Sequence, residues 1–324
     1  MRSSALWSRL LWRCLVLALG LGIGSLFNWQ TQPQPVSVPS TVATSTVFAA
    51  DDPPPARSNN SIPAPILKEV AARAFHLHSI ERTGLLIPLY LYPENIHTNA
   101  VYNRLMSLKR KYETVPFWVI VNPDSGPGTG VDENYDKAID RLRGAGCQVL
   151  GYVSTRYGQR TVAQVREDLS RWQRMYPAVQ GIFFDEMKYE DKEAASDHQV
   201  TLNKAARDMG YWPTVANPGA ETPERFFAED CADVIIIHEG AAWPPEARLH
   251  GDYFGGYSDY PPWKRAILLH SQTEFQPQQL EMARRYVRWI YVTDDPYREN
   301  DPAAANPWDS LSKHMEQMCE ALAR

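Results

Sequence analysis

The chain has 324 residues, of which 44% are hydrophobic, and a formal net charge of −5 at pH 7. This length suits one large domain or two smaller ones, with a sizeable core. Because there is no basic surplus and no lysine- or arginine-rich run, nucleic acid is excluded as an expected partner. The ten Trp, sixteen Tyr and ten Phe residues suit a sugar-stacking surface and a packed core equally well.

The N-terminus has the features of an export signal. Three arginines precede an apolar run from Cys14 to Phe27, and Val47-Phe-Ala-Ala50 offers small residues at the cleavage positions. The apolar run is short for a membrane-spanning helix, which favours cleavage. The distance from Phe27 to Ala49 is long, however, so residues 1–50 are predicted to be either a signal peptide or an uncleaved N-terminal anchor. In both cases we expect a secreted or otherwise extracytoplasmic protein that meets a membrane only through an uncleaved anchor.

A linker separates this segment from the folded part of the chain. The sequence from Asn28 to about Pro65 is dominated by Pro, Ser, Thr, Gln and Asn and includes Pro53-Pro-Pro55. Such composition cannot bury enough apolar surface to form a core. We assign residues 51–75 to a Pro-rich linker and residues 76–324 to one folded domain, which we expect to be monomeric.

Short apolar runs alternate with amphipathic helical patterns through this domain. The eight candidate strands are Leu85–Tyr92, Phe117–Val121, Val149–Ser154, Gly181–Phe184, Trp212–Ala216, Val234–Ile237, Ala266–His270 and Trp289–Val292. The clearest helices are Asn99–Tyr112, Asn134–Ala145, Val162–Met175, Lys192–Met209, Pro277–Tyr286 and Leu311–Leu322. Strands too apolar for a one-faced sheet, alternating with helices, indicate a parallel sheet covered by helices. Eight strands over about 240 residues predict an α/β protein with a (β/α)8 TIM-type barrel.

A doubly wound open sheet is the alternative fold. It is disfavoured because Leu91-Tyr-Pro93, and not a Gly-rich phosphate loop, follows the first strand. The cysteines give no sign of a zinc or thiol site, since Cys147, Cys231 and Cys319 are far apart and form no CxxC motif. They are predicted to be buried thiols with at most one disulfide. We expect no cofactor and no bound metal.

Two strands end in acidic residues. Asp185 and Glu186 follow the fourth apolar run, and Glu239 follows the sixth. In a barrel of this type the active site lies at the carboxyl ends of the strands, so these acids can face each other across one pocket. A single acid at a strand end would often be a helix cap or a loop hydrogen-bond acceptor. Carboxylates paired across a cleft are instead what cleavage of a glycosidic bond requires.

Aromatic and polar side chains at or just beyond the strand ends are candidate substrate contacts. They are Tyr90, Tyr92, Asn122, Tyr152, Asn217, His238, Trp243 and Tyr257. The rings could stack on sugar faces or pack between loops and helices, and the two asparagines could bind hydroxyls or only terminate strands. The segment Tyr253-Phe-Gly-Gly-Tyr257 is predicted to be a flexible loop that forms a wall or lid of the pocket.

Five motifs in chain order carry a resemblance to a known family. They are Pro88-Leu-Tyr-Leu-Tyr-Pro93, Val121-Asn-Pro-Asp-Ser-Gly-Pro-Gly128, Leu150-Gly-Tyr-Val-Ser-Thr155, Gly181-Ile-Phe-Phe-Asp-Glu186 and His238-Glu-Gly240. Together they resemble the spherulin-4-like proteins, glycoside hydrolase family 135. The resemblance implies a (β/α)8 fold and endo-acting, retaining hydrolysis of α-1,4-linked exopolysaccharide that contains galactosamine or N-acetylgalactosamine. It also implies that the catalytic acids are Asp185, Glu186 and Glu239.

These features predict an exported, retaining glycoside hydrolase acting on a polysaccharide. Asp185 is expected to be the nucleophile, Glu239 the general acid/base, and Glu186 a neighbour that positions substrate or tunes a pKa. The competing hypothesis is a non-catalytic carbohydrate-binding or cell-wall-associated barrel. A polysaccharide deacetylase is a third option, but it would require His and Asp metal ligands that the sequence does not assemble.

Overall fold

The computed structural model describes residues 82–251, 257–301 and 304–324. The predicted signal peptide or anchor (1–50) and the predicted linker (51–75) therefore lie outside the described residues. Among the helices that are described, none is both long enough and apolar enough to cross a membrane.

Eight parallel strands form a closed barrel in chain order. They are β1 (Gly84–Leu89), β2 (Phe117–Val121), β3 (Gln148–Ser154), β4 (Gly181–Asp185), β5 (Thr214–Ala216), β6 (Val234–Gly240), β7 (Arg265–Leu269) and β8 (Trp289–Val292). The barrel closes through pairing of β1 with β8. The predicted (β/α)8 barrel is confirmed, and the alternative of an open doubly wound sheet is wrong.

A helix follows each strand. The helices are α1 (Ala100–Lys111), α2 (Glu133–Gly144), α3 (Val162–Met175), α4 (Glu193–Asp208), α5 (Arg225–Ala228), α6 (Glu246–His250), α7 (Pro277–Ala283) and α8 (Met315–Leu322). The short helices α5 and α6 were not predicted, because four or five residues are too few to show a helical period. Predicted strand and helix ends agree with the structure to within a few residues elsewhere.

Local sequence accounts for where the long helices begin. The side chain of Asn99 accepts hydrogen bonds from the first backbone N–H groups of α1, and Asp132 does the same for α2. Thr161 and Gln164 form a capping box at the start of α3. These side chains satisfy backbone donors that have no partner within the helix.

Burial explains why the strands are apolar throughout. All five residues of β2 are buried, as are all six of β1, because one face of each strand lines the barrel interior and the other packs against helices. The three cysteines in the described part of the chain are buried free thiols, as predicted. Burial raises the pKa of each of them to about 12, so they remain protonated and unreactive.

One strand boundary and one helix boundary differ from the prediction in ways that affect the pocket. Strand β1 ends at Leu89 because the next backbone N–H, that of Tyr90, donates to the carbonyl of Trp308, 2.9 Å away, and not to a neighbouring strand. Helix α8 begins at Met315 and not at Leu311. An irregular segment that includes Trp308 therefore runs beside the carboxyl end of β1.

Candidate active site

The acidic end of β4 turns sharply between its two carboxylates. Asp185 is the last residue of the strand, and Glu186 adopts a left-handed backbone conformation with φ of 56°. That conformation is uncommon for a residue other than glycine and clusters at functional sites. Two donors hold the Glu186 carbonyl in place, the Thr155 hydroxyl at 2.6 Å and the Tyr157 backbone N–H at 2.7 Å.

This turn gives the two acids different surroundings. The Asp185 carboxylate accepts hydrogen bonds from the Tyr152 hydroxyl at 2.7 Å and from the Asn217 side-chain amide at 2.9 Å. The Glu186 carboxylate instead accepts from the Ser154 hydroxyl, on the side of β3. Because Asn217 donates to Asp185 and also to Glu239 of β6, it is Asp185, of the two acids, that shares a donor with Glu239.

Glu239 lies near the end of β6, after an irregularity in the strand. The pairing of β6 with β7 shifts register between Ile236 and His238, which inserts one extra residue into β6. Such a bulge changes which face of the barrel the following side chains occupy. The Glu239 carboxylate accepts a hydrogen bond from the Asn217 side-chain amide at 2.7 Å.

Asn217 joins the two carboxylates through a single nitrogen. Its Nδ2 donates to Oδ1 of Asp185 and to Oε2 of Glu239, so those two oxygens are no farther apart than the sum of the two distances, about 5.6 Å. Its Oδ1 accepts from the Gly219 backbone N–H at 2.9 Å and so also forms the turn after β5. The residue therefore serves both purposes that the sequence left open, a turn and a polar contact in the pocket.

The carboxylate pair holds a proton more tightly than ordinary acids do. Burial, and then the charge of Glu239, raises the pKa of Asp185 to about 7. Burial also raises the pKa of Glu239, while the neighbouring side chains of Asn217 and Trp308 act in the opposite direction. Since like charges repel at this distance, the two ionisations are coupled, and Asp185 titrates near neutral pH.

Tyrosines line the pocket beside these acids. The rings of Tyr90 and Tyr152 pack edge to face with centroids 5.7 Å apart. Burial, followed by the charges of Asp185 and Glu239, raises the pKa of Tyr90 well above its ordinary value. Burial and the three nearby carboxylates raise the pKa of Tyr157 to about 12. All three hydroxyls therefore remain protonated and can donate hydrogen bonds.

Two predicted substrate contacts have other partners in the structure. Tyr92 is 46% exposed, and its hydroxyl donates to Asp132 at 3.0 Å, near the start of α2. The Asn122 side chain accepts from the Gly126 backbone N–H at 2.9 Å, which is a turn contact. Neither residue hydrogen-bonds to the carboxylate cluster.

The remaining predicted contacts follow β6. The His238 ring makes a hydrogen bond with the Ala242 carbonyl at 2.8 Å, and burial lowers the pKa of that ring. Trp243 is half-buried against the core, and its indole N–H has no hydrogen-bond partner within the described part of the chain. The Tyr257 side chain and most of the predicted lid loop lie outside the described residues.

Sequence reasoning missed three residues of this site. Trp308 packs against His270 and Tyr291 from a loop without periodic hydrophobicity, and its only signal was an aromatic residue after the last strand. The other two are Ser154 and Tyr157. The register of β3 on β4 places Ser154 opposite Asp185, and Tyr157 lies three residues beyond the end of β3. Within the described residues, no group of three or more His, Cys, Asp or Glu side chains could hold a metal ion.

Comparisons with known proteins agree with this fold. Residues 84–322 match the model of the family described as spherulation-specific family 4. Spherulin-4 from Physarum polycephalum is 32% identical over 164 residues, which are 50% of this chain and 46% of that protein, so the chain spans about half the length of this curated relative.

A solved structure shows the same architecture. The crystal structure of Aspergillus clavatus Sph3 in complex with GalNAc superposes with a TM-score of 0.61 at 22% identity, and covers 75% of this chain and 98% of Sph3. At that identity the likeness concerns the fold alone. The match of the family model over the whole barrel shows that the chain belongs to spherulation-specific family 4.

Proposed function

We propose that this protein is an exported, retaining endo-glycoside hydrolase that cleaves an α-1,4-linked polysaccharide containing galactosamine or N-acetylgalactosamine. The observation that carries the proposal is the pair of partly buried carboxylates, Asp185 and Glu239, which share one side-chain amide nitrogen of Asn217. Membership of the family and the GalNAc complex of Aspergillus clavatus Sph3 support the choice of substrate.

The spacing of the pair supports a retaining reaction. Retaining glycosidases have carboxyl groups about 5–5.5 Å apart, whereas inverting enzymes leave about 6.5–9.5 Å for a water molecule. The nearest oxygens of Asp185 and Glu239 are at most about 5.6 Å apart. This upper limit agrees with the shorter separation of retaining enzymes, in which one carboxylate attacks the anomeric carbon directly.

The hydrogen-bond donors suggest a role for each acid. The Asp185 carboxylate accepts hydrogen bonds from Tyr152 and Asn217, whereas the Glu239 carboxylate accepts one from Asn217. More donors favour the ionised form, so we assign Asp185 as the nucleophile and Glu239 as the general acid/base. When Glu239 is protonated, the charge through which it raises the pKa of Asp185 disappears.

The reaction then proceeds in two steps. Glu239 gives its proton to the glycosidic oxygen while the Asp185 carboxylate attacks the anomeric carbon and the glycosidic bond breaks. Glu239, now ionised, takes a proton from water, whose oxygen attacks the same carbon and releases Asp185. Glu186, held by Ser154 on the β3 side, positions substrate beside the nucleophile.

The charge of the pocket also bears on the substrate. Within the described part of the chain, no lysine or arginine forms an ion pair with Asp185, Glu186 or Glu239. A sugar acid would bring a further negative charge next to three carboxyl groups, which costs free energy. Neutral N-acetylated sugars and cationic amino sugars avoid this cost.

Incubation with a panel of amino-sugar polymers tests the proposal. The purified protein should release oligosaccharides from an α-1,4-linked galactosamine polymer, with products of retained configuration by NMR. Asp185→Asn and Glu239→Gln should each reduce turnover by at least about 1,000-fold while polymer binding persists. With an activated aryl glycoside, Glu239→Gln should accumulate a glycosyl-enzyme at Asp185, detectable by mass spectrometry.

Two results would overturn parts of this proposal. Binding of a polymer without any release of products would favour the non-catalytic, carbohydrate-binding barrel. A covalent adduct on Glu239 in place of Asp185 would exchange the roles of the two acids. Export and a monomeric state remain predictions from the sequence.

A further inference from the structure

Thr155 lies directly after β3, where it contacts the turn between the two acids that follow each other at the end of β4. Its backbone N–H donates to the Asp185 carbonyl at 2.9 Å, and its hydroxyl donates to the Glu186 carbonyl at 2.6 Å. Thr155 is 1% exposed, so bulk water does not compete for these contacts. A single residue at the end of the neighbouring strand therefore binds two consecutive carbonyls of the turn.

The turn needs such support because Glu186 is left-handed, with φ of 56°. In that region the Cβ atom of an L-residue crowds the following carbonyl oxygen, so long side chains rarely adopt it. A hydrogen bond to the Glu186 carbonyl fixes the orientation of that group and opposes relaxation to a right-handed or extended backbone. The Tyr157 backbone N–H donates to the same oxygen at 2.7 Å. Of these two donors, the Thr155 hydroxyl is the one that a side-chain substitution can remove.

The left-handed turn directs the two carboxylates to different partners. The Asp185 carboxylate accepts from Tyr152 and Asn217, whereas the Glu186 carboxylate accepts from Ser154. Rotation of the peptide groups on either side of Glu186 would move both side chains relative to the strand ends. The place of the Asp185 carboxylate beside Asn217 therefore depends on this turn.

The loop that carries Thr155 is itself held in place. The Thr155 carbonyl accepts the Gly158 backbone N–H at 3.1 Å, and the Arg160 guanidinium donates to the Ser154 carbonyl at 2.7 Å. Arg160 also pairs with the Asp168 carboxylate of α3 at 2.6 Å, and both side chains are largely buried. The Thr155 hydroxyl is therefore a fixed donor against which the turn of β4 is set.

We propose that Thr155 is a positioning residue, whose hydroxyl holds the left-handed turn at Glu186 and thereby keeps the Asp185 carboxylate beside Asn217 and Glu239. The consequence for catalysis rests on the proposed function, in which Asp185 attacks the anomeric carbon. The consequence for the turn does not depend on any reaction. The two can therefore be tested separately.

The chain offers a matched control for removal of this hydroxyl. Thr155→Val removes the hydroxyl with almost no change in shape, Thr155→Ala is a second variant without it, and Thr155→Ser keeps it. Thr214, the first residue of β5, is also buried, and its hydroxyl donates to the Asn203 side chain at 2.7 Å. It pairs with Ile182, three residues before Asp185, and so lies toward the amino end of the barrel. Thr214→Val therefore removes a buried hydroxyl away from the acids.

A measurement without substrate reports on the turn. Glutamate is followed by methionine at two places in the chain, 186–187 and 281–282. In protein labelled with carbonyl-13C glutamate and 15N methionine, the NMR correlation between a carbonyl and the next amide therefore gives two signals. The Glu186 signal is identified by its loss in Glu186→Gln, and the Glu281 signal, from α7, is the internal reference.

The expected displacement has a defined direction. A hydrogen bond to a carbonyl oxygen deshields the carbon, so Thr155→Val and Thr155→Ala should both move the Glu186 signal to lower frequency. Thr155→Ser and Thr214→Val should leave it in place. The Glu281 signal should not move in any of these variants.

With active protein, the same variants separate positioning from stability. In Thr155→Val, kcat on a cleaved polymer should fall by about 5- to 10-fold, the value of one lost hydrogen bond, while KM changes less than about twofold. Thr155→Ser should recover most of kcat. Thr214→Val should be less stable than the wild type but should retain its kcat, whereas a merely structural role of Thr155 would make kcat follow Tm in all of these variants.

The outcomes distinguish this inference from the proposed function. If the Glu186 signal stays in place in Thr155→Val and Thr155→Ala, the hydroxyl does not hold the turn and the inference fails, whether or not polymer is cleaved. A displaced signal with unchanged kcat also overturns it, because the turn then does not position Asp185. A displaced signal in a protein that cleaves no polymer supports the hold of Thr155 on the turn, and in that case the hydrolase proposal fails.

Discussion

Replacing Asp185 with asparagine should change how the stability of the barrel depends on pH. Burial and Glu239 raise the pKa of this carboxyl group from 3.8 to about 7 in the folded protein. The folded state therefore keeps a proton that the unfolded chain loses near pH 4. Between these two values the folded state binds more protons than the unfolded state, so wild-type stability falls as the pH rises.

The magnitude follows from the two pKa values. A difference of about three units corresponds to about 4 kcal/mol of lost stability once the pH exceeds about 7. Asparagine cannot ionise, so the variant escapes this loss. Its amide oxygen still accepts from Asn217, and its amide nitrogen can donate to the Tyr152 hydroxyl, which leaves a cost of about 1 kcal/mol from the altered hydrogen bonds.

The two proteins should therefore exchange their order of stability. At pH 4 Asp185→Asn should be about 1 kcal/mol less stable than the wild type, and at pH 8 about 3 kcal/mol more stable. Thermal and urea unfolding between pH 4 and pH 8 measure this, with about 2–4 °C in Tm for each kcal/mol in a domain of this size. Asp140→Asn, at an exposed position on α2, is the control and should run parallel to the wild type. If the stability of Asp185→Asn also runs parallel to that of the wild type between pH 4 and pH 8, the raised pKa of Asp185 is refuted.

Two further substitutions test the hydrogen bond to Asp185 and the packing of β4. Tyr152→Phe keeps the ring but removes the hydroxyl that donates to Asp185 at 2.7 Å, so kcat on a cleaved polymer should fall by about 10- to 100-fold with Tm lower by a few degrees. An unchanged kcat would show that this hydrogen bond does not support the proposed role of Asp185. Gly181→Ala would place a Cβ atom 2.3 Å from the Pro213 carbonyl oxygen, which must move, and we expect a loss of about 2–4 kcal/mol in urea unfolding. Gly144→Ala, at a helical position with no heavy atom within 4 Å of the added Cβ, should be neutral or stabilising. Equal stability of the two alanine variants would contradict the close packing of β4 on the segment before β5.

The fold could be predicted from the sequence because its determinants are local. Each strand is an apolar run that is covered on both faces, and each long helix carries its own period and capping residues. A chain of eight such units has few ways to bury all of its strands, and the closed barrel is one that the connection rules favour. The boundaries were less predictable where a strand or helix ends against a distant residue, as β1 does at the carbonyl of Trp308.

The sequence by itself determined that Asp185, Glu186 and Glu239 stand at the carboxyl ends of strands. It could not determine which of the first two is directed toward Glu239, because that depends on the left-handed turn at Glu186 and on the register shift in β6. Nor could it show that Asn217 bridges the pair while Asn122 only forms a turn, since both occur in the same Asn-Pro context. Only the tertiary structure decided these points, because hydrogen bonds between strand ends far apart in sequence form only when the barrel closes.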